Sequence, residues 1–134
     1  MKIFDVCAIG DFVLDYTVKI SRLPIRPEQV ETAEEAFLAP GGASNFLITA
    51  ARLGLKTCAI DVVGSDVFGQ ELISALKSEG VETRGIRVLA GGKTTHVIVI
   101  VDDKGAHSFI GILGSRLRPD AIDDALIKSS KYIY

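Results

Sequence analysis

Pro40-Gly41-Gly42-Ala43-Ser44-Asn45 stands directly before an apolar run, Phe46 to Leu53. Adjacent glycines admit backbone angles that other residues resist, and they leave peptide groups bare. Ser44 and Asn45 are favoured at helix N-caps. Free N–H groups of a first helical turn then face whatever lies over the glycines. Two readings follow: a tight turn leading into a capped helix, or the floor of a site for a small polar ligand.

Outward from this stretch, short apolar runs alternate with helical ones. Toward the N-terminus, Ile3 to Ile9 reads as a buried parallel strand closed by Gly10. Asp11 and Asp15 follow its end, where ligands of open α/β sheets bind; the plainer alternative is solvated loop charge. Tyr16 to Ile20 reads as a strand. Leu23 to Pro27 is a loop, since its two prolines lack ladder donors. Gln29 to Leu38 suits a strand, although its glutamates also suit a helix.

Toward the C-terminus, Phe46–Leu53 is a helix ended by Gly54. Lys56 to Val63 is a second buried strand. Ser65-Asp66 caps a helix over 67–79, with Phe68, Leu72, Ile73 and Leu76 on one face. Gly85 to Leu89 is a third strand. This β-α-β-α-β order predicts a Rossmann-like parallel sheet flanked by helices. Thr94–Val101 and Ala106–Leu113 then form a hairpin around Asp102-Asp103-Lys104-Gly105. With the strands near 16–38 it predicts a small antiparallel flap, so the lid lies near 16–38 and 94–113. Gly91-Gly92-Lys93 reads as a loop turn alone. Pro119 to Ser129 is a helix with Ile122, Ala125 and Leu126 inward. Lys131 to Tyr134 opens a strand, which makes the sequence a fragment or that strand an edge.

Composition narrows the function. The 134 residues are 48% hydrophobic and 24% charged, with mean hydropathy +0.33 and net charge −2. That suits one domain with a real core and argues against disorder or a nucleic-acid surface. No apolar run approaches the ~18 residues of a membrane span, and the N-terminus does not resemble a signal peptide. Cys7 and Cys58 sit in apolar runs and read as buried thiols. A cytoplasmic protein is expected. His96 and His107 lack a third metal ligand at suitable spacing. Dinucleotide and P-loop glycine patterns are absent. What remains is polar recognition: carboxylate, amide and bare peptide groups, which suit a polyhydroxylated ligand.

Four features, in order, resemble the N-terminal part of the ribokinase-like, or PfkB, carbohydrate kinases. They are Gly10 to Asp15; Gly41-Gly42-Ala43-Ser44-Asn45 with Gly54 and Gly64; Gly64-Ser65-Asp66-Val67-Phe68-Gly69; and the 94–113 hairpin. The resemblance covers residues 1–134 and implies an ATP-dependent kinase acting on a sugar hydroxyl. It implies that Asp15, Gly41, Gly42 and Asn45, with Asp11 nearby, hold the sugar under a flap that also forms a homodimer contact. It implies ATP and Mg2+. The family's glycine-rich anion hole and catalytic aspartate, which lie in its C-terminal half, have no counterpart here. The chain is therefore expected to be the acceptor-binding portion, inactive alone. A non-catalytic sugar-binding or assembly module and a nucleoside kinase of the same superfamily are the alternatives. A phosphosugar acceptor is disfavoured for want of a clear basic cluster near the site, although folding can bring Arg116 and Arg118 close.

Overall fold

The computed structural model describes residues 2–134. Its core layer is a four-stranded, fully parallel sheet in the order β5-β4-β1-β8. β1 is Phe4–Ile9, β4 is Thr57–Gly64, β5 is Glu82–Leu89 and β8 is Ser130–Ile133. β4 lies between two neighbours and is covered on both faces, so all eight of its residues are buried. Helices α1 (Ala43–Arg52) and α2 (Val67–Ser78) cover one face, where Leu47, Ala50, Leu72 and Leu76 meet Val6, Ala8, Ala59 and Val63. On the other face Leu126, from the short α3 (Asp124–Lys128), packs with Phe4, Cys7, Cys58 and Ile60.

Cys7 and Cys58 are register partners across β1 and β4, both fully buried and both free thiols. Hydrogen bonding with Cys7, together with burial, raises the Cys58 thiol far above its ordinary value. These are core residues.

The second sheet has the order β3-β2-β6-β7, with β2 at Phe12–Ile20, β3 at Glu35–Gly42, β6 at His96–Asp102 and β7 at His107–Ile112. The expected flap is present but is mixed, not antiparallel. β2 runs parallel to β6 in a seven-residue register from Leu14↔His96 to Ile20↔Asp102. Two hairpin-like units thus meet along their first strands.

Several boundaries differ from expectation, each for a local reason. β2 starts at Phe12 rather than Tyr16, because Phe12 and Leu14 are core residues before the strand leaves for the lid. The second lid strand is Glu35–Gly42, not 29–38, so Pro40-Gly41-Gly42 is a strand end rather than a turn. α1 begins at Ala43, three residues before Phe46, and its N-cap is Gly42, with no side-chain cap. Ser44 and Asn45 are therefore helical residues. Residues 119–129 split into a 3-10 turn, Pro119–Ala121, and α3, because Asp123 caps the amides of Ala125 and Leu126. Leu126 is buried as expected, whereas Ala125 is exposed. β8 is an edge strand beside β1.

Candidate functional site

The site is built where both sheets meet, at the carboxyl ends of β1 and β4. β1 ends at Ile9, and Gly10 and Asp11 turn the chain with φ of 77° and 59°. Asp11 is a non-glycine residue in left-handed conformation, which is held only by surrounding structure. Three bonds hold this turn: the Gly10 amide donates to the Ile60 carbonyl (2.8 Å), the Ala43 amide to the Asp11 carbonyl (2.8 Å) and the Phe12 amide to Asp61 Oδ2 (3.1 Å).

Asp15 lies three residues further along β2, half-buried, between Ala39 of β3 and Val97 of β6. Val97 is paired in turn with Gly111. Gly41 is opposite Val13, and a side chain there would overlap the Asp15 carboxyl group. Gly42 has φ 59°, and a Cβ there would overlap the Asp11 carbonyl. Both glycines are required by close approach, the second by its backbone angle as well. Burial raises Asp15 above the ordinary carboxylate range.

Asp15, Asp11, Gly41 and Gly42 therefore form one contact group. Asn45 is exposed in the first turn of α1, three residues after Gly42, and borders a depression of about 280 Å³ between α1 and α2, with Ala39, Pro40, Thr49, Arg52 and Glu79. Ser44 is fully buried, and its hydroxyl has no hydrogen-bond partner among the described residues.

A separate cavity of about 220 Å³ opens at the Asp11 turn, lined by Gly10, Asp11, Val13, Asp61, Thr95 and Arg116 among others. Of the two arginines considered from sequence, Arg116 lines it, whereas Arg118 pairs with Asp120 at 3.5 Å. Asp61 was missed in the sequence. It is only 7% exposed, and its Oδ1 accepts from the Val62 amide at 2.7 Å. Burial pushes its carboxyl up, the Val62 and Phe12 amides partly offset this, and nearby Asp11 adds to it. The available signal was one carboxylate inside an otherwise apolar strand.

The motif Gly64 to Gly69 forms the root of the lid. Asp66 caps α2 by accepting from the Gly69 amide (2.9 Å), and it also accepts from the Thr94 amide (2.8 Å) and hydroxyl (2.6 Å). Thr94 Oγ1 accepts from the Gly64 amide at 2.9 Å. Burial raises Asp66, but the bonds from Thr94 and Gly69 outweigh it and hold the carboxyl below its usual range. Gly91-Gly92-Lys93 is more than a turn. A side chain at Gly64 would overlap the Gly92 carbonyl, and the Lys93 carbonyl accepts from the Ser115 amide at 2.6 Å, joining both legs of the hairpin. His96 at the base of β6 stacks on Phe68 of α2, with centroids 4.0 Å apart. Chemically, the site offers acceptor carboxylates and bare peptide groups, a set that binds hydroxyls. Among the described residues, no three His, Cys, Asp or Glu side chains lie together to hold a metal ion.

Residues 4–134 match the pfkB family carbohydrate kinase profile. The chain is 39% identical over 92 residues to the bifunctional protein HldE of Magnetococcus marinus, covering 66% of this chain and 19% of that protein. It is 28% identical to Probable fructokinase-3 of Arabidopsis thaliana, covering 96% of this chain and 37% of that one. The structure of Arabidopsis thaliana ribokinase complexed with ribose and ATP has the same fold, with TM-score 0.80 at 23% identity over 99% of this chain and 45% of that one. The chain thus spans less than half the length of each of these proteins.

Proposed function

We propose that this chain, which belongs to the pfkB family of carbohydrate kinases, forms the acceptor-binding side of an ATP-dependent phosphoryl transfer to a sugar hydroxyl. The observation that carries this reading is the Asp15 carboxylate lying against the bare backbone of Gly41. Asp15 accepts hydrogen bonds from sugar hydroxyls, and Gly41 and Gly42 let the ring approach the peptide groups. Asp11 borders the same group. Asn45, in the first turn of α1 just after the glycine pair, supplies a further contact to the sugar hydroxyls. Closure of the lid then keeps water, a competing acceptor, from the transferred group.

ATP supplies the phosphoryl group in this reading, and Mg2+ neutralises phosphate charge in such reactions. Among the described residues, no three His, Cys, Asp or Glu side chains cluster to hold that metal. The lid's register row Leu38–Tyr16–Ile98–Ile110 is apolar, with Tyr16, Leu38 and Ile110 exposed by 39%, 42% and 53%. A second copy covering this row forms a homodimer through the lid.

The test is calorimetric titration of the chain with D-ribose, D-fructose, D-gluconate and adenosine, in wild type and Asp15→Ala. Binding of a sugar in wild type and at least tenfold weaker binding in the variant is the expected result. Absence of all binding, or equal binding by both proteins, overturns the reading. Binding of adenosine alone points instead to a nucleoside acceptor.

A further inference from the structure

A fully apolar β4 would pack better than one that buries a carboxylate, because desolvating a charge is costly unless specific partners repay it. Asp61 is nevertheless buried in the middle of β4. Its two oxygens are spent on two backbone amides, Val62 beside it and Phe12 across the site. The Phe12 contact spans 49 residues of sequence. Phe12 is the first residue of β2 and follows Asp11, whose left-handed conformation carries an intrinsic cost. The Asp11 carbonyl, aimed by that conformation, accepts from the Ala43 amide and closes against Gly42. Thus one carboxylate fixes the start of β2, and through the turn it fixes the start of α1. Those two starts bracket Asp15 and the glycine pair.

We propose that Asp61 is a positioning residue for the acceptor site: it clamps the Gly10–Asp11–Phe12 turn and thereby sets the spacing between Asp15 on β2 and the Gly41-Gly42 strand end. The role of the turn as part of an acceptor site rests on the function proposed above; the clamp itself does not. Asp61 touches no substrate in this scheme. An amide cannot replace it fully, because Asn has one acceptor oxygen where two amides need acceptors. Asp11 enters as the strained element, and a glycine there adopts positive φ without cost.

The experiment is residue-resolved amide exchange by NMR on wild type, Asp61→Asn, Asp11→Gly and the double variant. In Asp61→Asn, exchange at Phe12 rises roughly tenfold or more, the scale of a lost bond to a charged acceptor. Ala43 exchange rises with it, while Ile60 and Val63 in the β4 ladder stay protected. Adding Asp11→Gly returns Ala43 toward its wild-type rate, because the turn no longer needs clamping. This rescue separates positioning from simple core stability, and it is readable even if Asp61→Ala fails to fold. Equal acceleration at Phe12, Ala43, Ile60 and Val63, or no rescue by Asp11→Gly, overturns the proposal. Titration of wild type and Asp61→Asn with D-ribose and D-fructose is the second arm. A wild type that binds neither counts against the acceptor reading alone, since the exchange data still decide the clamp. Equal affinity in both proteins, with Ala43 exchange altered, overturns the link between clamp and site.

Discussion

Replacing Thr94 by valine removes a hydroxyl and keeps the shape, so the result reads the lid root directly. Thr94 is 1% exposed. Its Oγ1 accepts from the Gly64 amide at 2.9 Å and donates to Asp66 Oδ1 at 2.6 Å. Valine leaves the buried Gly64 N–H without a partner, at a cost of about 1–3 kcal/mol, and removes a charge-assisted bond of about 1.5–3 kcal/mol. The two losses share one atom and are not additive, and Asp66 keeps its bonds from the Thr94 and Gly69 amides. A net destabilisation of about 2–4 kcal/mol follows. At roughly 2.1 cal/mol/K per residue, unfolding this 134-residue chain carries an entropy of about 0.28 kcal/mol/K. Tm therefore falls by about 7–14 °C. Far-UV circular dichroism melts and scanning calorimetry measure it. Thr94→Ser, which retains the oxygen, recovers most of the loss. A Thr94→Val protein melting within about 3 °C of wild type, or a serine variant no better than valine, refutes the assignment of the root to this hydroxyl.

Three further outcomes are expected. Gly41→Ala displaces the Asp15 carboxylate; since only the free end of a side chain must move, calorimetry should show sugar affinity at least tenfold weaker while Tm drops by only a few degrees. Asp61 is raised in the folded protein from the ordinary aspartate value of 3.8, so the native state takes up its proton first and this group favours folding increasingly as pH falls from neutral through the raised value. Urea unfolding from pH 7 to 4 should therefore show wild type gaining stability relative to Asp61→Asn, and a pH-independent gap refutes this. Leu72→Ala, at a fully buried position of the α2 face, should cost about 2.7–5 kcal/mol in urea unfolding; a cost under 1 kcal/mol would contradict the packing of α2 on the sheet.

The alternation of short apolar runs with helical ones was enough to give the parallel core, because β4 and α2 carry their patterns locally: a mostly apolar strand interrupted by Asp61, and Leu72 and Leu76 four residues apart. Asp66 as a cap and Asp123 near α3 illustrate the limit of local reading. The first was legible, since Asp followed by Gly69 amide geometry is a short-range event. The second was masked by the proline that suggested a helix from residue 119.

What the sequence by itself determined was element type, the order of the core strands' segments, the family resemblance and the contact candidates Asp15, Gly41 and Gly42. Those depend on spacing within a few residues. What only the tertiary structure decided was the parallel joining of β2 to β6 across about eighty residues, the burial of Asp61 beneath Phe12 and the bond of Thr94 to Asp66. It also moved the start of α1 to Ala43, because the Asp11 carbonyl, brought from another strand, takes the Ala43 amide and Gly42 becomes the cap. A hydrogen bond between residues far apart in the chain leaves no periodicity to read. It exists only once the sheets have brought donor and acceptor within 3 Å or so, where burial makes each unmet partner costly.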